Sequence, residues 1–209
     1  DIMIERYSRP EMTAVWGPEA RIRKILEIEA VFLEAIASAK KIPKKEIAEL
    51  RKVIDGGPLA EAVLEKEKAS AHDVVALLQV VSDRLEGKAP KVVQYLHYGL
   101  TSSDVLDTAL AMQLREACDL LIQGWKGAVA AIAEAAGKYA DTWMVGRTHG
   151  VHAEPLPFGF KLAGWHAEAT RVIARLRRAK WVISFGKISG AVGTFAHLKT
   201  DYEARVCRR

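Results

Sequence analysis

Thr101-Ser102-Ser103-Asp104-Val105-Leu106 opens a stretch that stays apolar at helical spacing to about Asp141, and the reading of this stretch decides the fold. Its first four residues place a hydroxyl three positions before a carboxylate, the capping-box signature of a helix start. Apolar side chains from Val105 through Leu120, Leu121, Trp125, Val129 and Ile132 to Ala136 then cover more than one face. At about 1.5 Å per residue such a helix is roughly 55 Å long, more than a small domain is wide. It therefore needs neighbours on several sides along its length.

Upstream, the pattern predicts a helix from Pro18 to near Lys41, with Ile22, Ile25, Leu26, Phe32, Leu33 and Ile36 as its buried stripe and Glu29 as a polar exception. Pro43 breaks it. Shorter helices follow near 44–54 and 58–68, separated by Asp55-Gly56-Gly57-Pro58, and another runs from about His72 to Gly87. Downstream of the long helix, a second long helix is expected from Pro157 to about Ser184, then a glycine-rich interruption at Gly186–Thr194 and a further helix near Thr200. Alternating runs bounded by hairpin turns are not found, so the class is all-α. The organisation reads as a small N-terminal helical domain over 1–100, followed over 101–209 by the first long helices of a central bundle that these residues do not close.

Composition sets the frame for function. Half of the 209 residues are hydrophobic and 27% are charged, as in a globular chain. No apolar run approaches the roughly 18 residues of a membrane span, and the opening residues lack a secretory layout, which points to the cytosol. Cys118 and Cys207 are too few and too far apart for a disulfide framework or a zinc ribbon. The net charge of +5 lies wholly in residues 101–209, which hold 15 basic and 10 acidic side chains. Arg171, Arg175, Arg177, Arg178 and Lys180 supply much of it on one helical stretch. A solvated or subunit-facing side explains that stretch better than a nucleic-acid footprint, which would require strongly salt-dependent binding.

Chemistry concentrates at the joints. Arg147-Thr148-His149-Gly150-Val151-His152-Ala153-Glu154-Pro155 gathers proton-transfer groups in a glycine-broken turn, and histidine titrates near neutral pH. His72 and His97 also stand at helix ends. The hydroxyls and free amides of Thr101-Ser102-Ser103 can hold a carboxylate or phosphate. Read as residues alone, they fit an ordinary N-cap as well, a reading that Gly99 just before them weakens. Together with Arg147 these groups form a candidate anion-binding and proton-transfer set. A metal site is poorly supported, because His149 and His152 lack a third ligand. Ser189-Gly190-Ala191-Val192-Gly193 lacks the lysine and helix start of a phosphate-binding loop.

Taken together, His72-Asp73-Val74-Val75, His97–Asp104, Arg147–Pro155, Gly186–Thr194 and the opening Met3–Pro10 resemble the bacterial adenylosuccinate lyase family of the fumarase/aspartase superfamily. The resemblance runs through essentially the whole chain in order, with Asp1-Ile2 upstream of the family's usual start. It implies β-elimination of fumarate from adenylosuccinate, giving AMP, and from the succinylated aminoimidazole carboxamide ribotide (SAICAR), giving AICAR, with no cofactor and no metal. It makes His149 the general acid with Thr148 beside it, places His72 and Asp73 along the nucleotide, and has His97 help hold the substrate. Thr101 and Ser102 would bind the succinyl carboxylate, and Arg6 and Tyr7 the phosphate. His152 and Glu154 receive no role.

The resemblance also implies a homotetramer whose active sites combine residues of three subunits, with purine nucleotides and fumarate as small-molecule partners and neither membrane nor nucleic acid. The family's serine-rich loop, which carries the catalytic base, is absent from these residues, so the chain is expected to be part of a longer protein and inactive alone. The competing reading is a noncatalytic helical scaffold or regulatory fragment that binds nucleotide. Binding of adenylosuccinate without fumarate release would favour it.

Overall fold

The computed structural model describes residues 5–208. Asp1-Ile2, the Met3-Ile4 start of the opening motif, and Arg209 lie outside the described residues. A 3-10 turn at Glu5–Tyr7 leads into α1 (Pro10–Trp16), α2 (Pro18–Lys40), α3 (Lys44–Asp55), α4 (Ala60–Ser70), α5 (Asp73–Leu85), α6 (Pro90–Tyr95) and α7 (Ser102–Lys138). Two strands follow, β1 (Trp143–Thr148) and β2 (Val151–Pro157), then α8 (Phe158–Ile183) and α9 (Thr200–Cys207). The chain is thus mostly helical, and the helices expected from periodicity are present. Two short ones, α1 and α6, were not anticipated; each starts on a proline, which suits the first helical position.

One expectation is corrected. The Arg147–Pro155 joint is not a simple turn between helices but an antiparallel hairpin, with Thr148 paired to Val151 and Trp143 to Pro157. Its two-residue loop is His149-Gly150, both at positive φ (53° and 77°), as a type I′ turn requires. The strands escaped notice because the register slips between Val145 and Arg147, where a Cβ on Gly146 would lie 2.7 Å from the Glu154 carbonyl oxygen. Prolines at 155 and 157 further mask the strand, and the two-stranded sheet leaves them an edge to occupy.

Contacts divide the chain into two units, Asp1–Leu114 with Ser184–Arg209, and Arg115–Ile183. The expected division at residue 100 marks the start of α7, whereas the contact division falls inside that helix. In the first unit the core centres on α2, whose Leu26, Phe32, Leu33 and Ile36 are fully buried against α3 and α9, together with Leu77, Val81 and Leu85 of α5. Phe32 meets Tyr202 of α9 edge-on, with ring centroids 6.5 Å apart. Carboxylates from distant segments close two helix starts. Glu19 accepts from the amides of Leu59 (2.8 Å) and Ala60 (3.0 Å) at α4, and Glu46 from Lys91 (2.7 Å) and Val92 (3.3 Å) at α6.

In the second unit, α8 returns along α7. Gly159 lets the backbones touch, since a Cβ there would lie 2.5 Å from the Ala136 carbonyl oxygen. The Lys180 ammonium pairs with Asp119 at 2.6 Å. The expectation that α7 is enclosed on several sides is not met within this chain: Leu110, Leu120, Leu121 and Trp125 are exposed. Among the described residues no helix is long and apolar enough to cross a membrane.

The core assignment is checked by truncation. Phe32→Ala removes a fully buried ring and should cost about 3–5 kcal/mol in urea unfolding. Leu64→Ala, at a side chain 58% exposed, should cost well under about 1 kcal/mol. Equal losses would displace α2 from the centre of the core.

Candidate functional site

At the start of α7 the chain folds back on itself around one carboxylate. Asp104 is fully buried, yet it accepts from the amides of Thr101 (3.0 Å), Ser189 (3.1 Å) and Gly190 (3.0 Å) and from the Lys187 ammonium (2.6 Å). The Thr101 bond is one arm of the capping box expected there. The other three tie the glycine-rich segment to the helix start. Burial pushes the Asp104 carboxyl up, but the ammonium and the three amides outweigh it and hold the group below its ordinary range.

With Asp104 serving the Thr101 amide, the hydroxyls of Thr101 and Ser102 make no hydrogen bond among the described residues, and both residues are only half-buried. Neither hydroxyl is therefore committed to holding the helix start together. Gly99, read from sequence as a reason to doubt a plain cap, has a different use. It sits at φ 72°, and a Cβ there would lie 2.9 Å from Leu198, so the glycine admits the chain's own 195–198 segment.

His97 lies two residues before Gly99, and Glu29, the polar exception in the α2 stripe, is its partner. The Glu29 carboxylate, fully buried, accepts from the His97 amide at 3.0 Å and meets its Nδ1 at 2.6 Å. Glu29 thus engages the Nδ1 side of the ring, and Nε2 is the ring nitrogen it does not occupy. Sequence reasoning did not name Glu29, Asp104 or Lys187 as functional. The one signal was a lone charged position inside an otherwise apolar stripe.

The remaining expected site residues lie elsewhere in the two units. In the first unit His72 caps α5 through a long bond from the Val75 amide (3.5 Å), and Asp73 pairs with Arg21 at 2.9 Å. Arg6 and Tyr7 hold each other, with the guanidinium 3.0 Å from the hydroxyl and Tyr7 71% exposed. Thr148 and His149 belong to the second unit, on the exposed end of the hairpin, where His152 pairs with Arg147 across the strands.

Other candidates recede. In the basic stretch of α8, Arg171 and Arg175 clamp Glu168 at 2.6 and 2.8 Å, Lys180 binds Asp119, and Arg178 lies over the Trp181 ring. These pairings spend much of the charge that a nucleic-acid footprint would need. Burial, reinforced by the charges of Glu203 and Asp104, pushes the Cys207 thiol up to about 11, where it is a poor nucleophile at neutral pH. No group of three or more potential metal ligands occurs among the described residues.

The chain matches a family model described as Lyase over residues 5–209. It is 46% identical to the adenylosuccinate lyase of Bacillus subtilis (strain 168) and 44% identical to that of Synechocystis sp. (strain ATCC 27184 / PCC 6803 / Kazusa), in each case over 99% of this chain and 47% of the relative. The chain thus spans about half the length of these relatives. Among solved structures it superimposes on a fumarate lyase from Mesorhizobium sp. BNC1 with a TM-score of 0.85 at 27% identity, covering 99% of this chain and 49% of that one. A 3-carboxy-cis,cis-muconate lactonizing enzyme from Pseudomonas putida gives 0.86 at 28%, covering 96% and 45%.

Two stability measurements test the site geometry. His97→Ala removes the ring partner of the buried Glu29 carboxylate but keeps the backbone amide at that position, and should cost about 1.5–3 kcal/mol, whereas His72→Ala removes only a long cap bond and should cost about 1 kcal/mol or less. Similar losses would remove the Glu29–His97 pair from the frame. For Asp104 the folded value lies below the unfolded one, so its contribution is complete above about pH 4 and fades as pH falls through the depressed value. Asp104→Asn should lower stability at neutral pH and flatten this acid limb; an unchanged limb would show that Asp104 does not drive it.

Proposed function

The chain belongs to the lyase family, and on that premise we propose that the whole protein is an adenylosuccinate lyase, releasing fumarate from adenylosuccinate to leave AMP and from SAICAR to leave AICAR. The observation that carries the reading is that the Thr101 and Ser102 hydroxyls, at the start of α7 and following closely in sequence on a histidine held by Glu29, make no hydrogen bond among the described residues. They bind the succinyl carboxylate, where the helix dipole favours negative charge.

The elimination then follows from charge flow. A base removes a proton from the carbon next to that carboxylate, and the freed electron pair spreads into it, where hydrogen-bond donors stabilise the charge. That pair then returns to form the carbon–carbon double bond of fumarate as the carbon–nitrogen bond breaks; the electrons of the broken bond go to nitrogen, which takes a proton from His149, with Thr148 beside it. No oxidation occurs: the substrate carboxylate spreads the charge in transit and the leaving nitrogen receives the bonding pair, so the reaction calls for no cofactor. His72 and Asp73 line the nucleotide, His97 helps hold the substrate, and Arg6 and Tyr7 take the phosphate.

In this reading the serine base belongs to a loop outside these 209 residues, and the protein works as a cytosolic homotetramer with active sites shared between subunits. The exposed Leu120, Leu121 and Trp125 of α7, and Phe160 and Trp165 of α8, support such burial. We keep residues 1–100 and 101–209 as the N-terminal domain and the first part of the central bundle.

In the full-length protein, His149→Ala should slow fumarate release by about 10²–10⁴-fold while leaving the circular dichroism and melting curve intact. Near-normal turnover would take His149 out of the acid role. Residues 1–209 alone should release no fumarate; measured turnover by that material would place the base within this chain.

A further inference from the structure

The Lys187–Gly190 segment has no part in the chemistry above, yet it is bound to the helix start that is to receive a substrate carboxylate. Asp104 sits in the first turn of α7, fully buried, with one oxygen on the Thr101 amide and both engaged by the returning segment. A carboxylate there satisfies the helix dipole from inside the protein and repels a second anion outside it. The Lys187 ammonium cancels that charge. It lies 2.6 Å from Asp104 Oδ1 and is steadied by the Gly190 carbonyl at 3.3 Å, while the Lys187 amide donates to Thr108 at 3.1 Å. Removing Asp104 instead is no solution for the fold, since three amides depend on it.

We infer that Lys187 is a positioning residue for anion binding: by neutralising Asp104 it keeps the start of α7 receptive to a substrate carboxylate at Thr101 and Ser102. This rests on the proposed assignment of those two hydroxyls. Lys187 touches no ligand itself. Its influence is electrostatic and local, so it falls on the carboxylate end of the substrate and spares the nucleotide end.

The test uses the full-length protein and two inhibitors, fumarate and AMP, which separate the two ends. Lys187→Met should raise the inhibition constant of fumarate, and KM, by about tenfold or more, with AMP inhibition within about twofold and kcat affected far less than KM. Lys187→Arg should behave like the parent, and Asp104→Asn/Lys187→Met, neutral again, should recover fumarate inhibition. Should Lys187→Met fail to fold, Lys187→Gln, which keeps a hydrogen-bond donor and loses the charge, carries the comparison with the same expected outcomes. Equal weakening of fumarate and AMP, or no recovery in the double variant, overturns the inference. Ser102→Ala separates the inference from its premise. If it weakens fumarate while Lys187→Met does not, only the role of Lys187 falls; if it leaves fumarate untouched, the carboxylate site lies elsewhere and both fall.

Discussion

Buried backbone amides at the joints between helices need acceptors, and the first unit meets this need with carboxylates sent from far along the chain. Glu19 serves α4, Glu46 serves α6, Glu29 serves His97, Asp104 serves Ser189 and Gly190, and Glu203 serves Ile188 at 2.9 Å. An unsatisfied buried amide costs about 1–3 kcal/mol, so each of these bonds constrains where its joint can lie. Asp104 bears the largest share. The first unit loses the chain at Leu114 and regains it at Ser184, and the Asp104 bonds are among those that fasten the returning segment. Once the amides at a joint are satisfied from within, side chains there are released from structural duty. The Thr101 and Ser102 hydroxyls are the clearest instance.

This explains which parts of the molecule were legible in the sequence. Helix positions were, because burying a stripe on a cylinder imposes a 3.6-residue period that α2, α5, α7 and α8 all obey. Capping chemistry at Thr101–Asp104 and the proline and glycine breaks fixed most boundaries. The hairpin was not legible, since a register slip and two prolines destroy the alternation by which strands are recognised. The carboxylate partners were not legible either. A glutamate at 29 and a histidine at 97 are 68 positions apart, and no local period links them. Helical periodicity marked Glu29 as an anomaly in an apolar stripe; only the fold supplies its partner.

Charge illustrates the same limit. The sequence shows an excess of basic residues in 101–209, and Arg171, Arg175 and Lys180 look like a free positive face. The structure pairs them with Glu168 and Asp119, so formal charge at these positions overstates the field available to a partner. Lys187 works in the opposite sense. A single ammonium, inconspicuous in the sequence, balances the buried Asp104 carboxylate beside the proposed anion site, and its position counts for more than the total of +5.

Backbone strain separates the candidate histidines from one another. Among the described residues five non-glycine positions have positive φ: Lys41, Ala71, His97, His149 and Phe195. Glycine would relieve the strain at any of them, so the side chain present must be justified by something glycine lacks. For His97 the fold supplies part of the justification, because Glu29 binds the ring as well as the amide. For His149 it supplies none. The I′ turn would form more readily with asparagine or glycine at that position, and the imidazole makes no hydrogen bond or ion pair among the described residues. A strained, exposed ring with no partner in the fold supports the proposed acid role of His149 over His152, which sits in the regular strand pairing beside it.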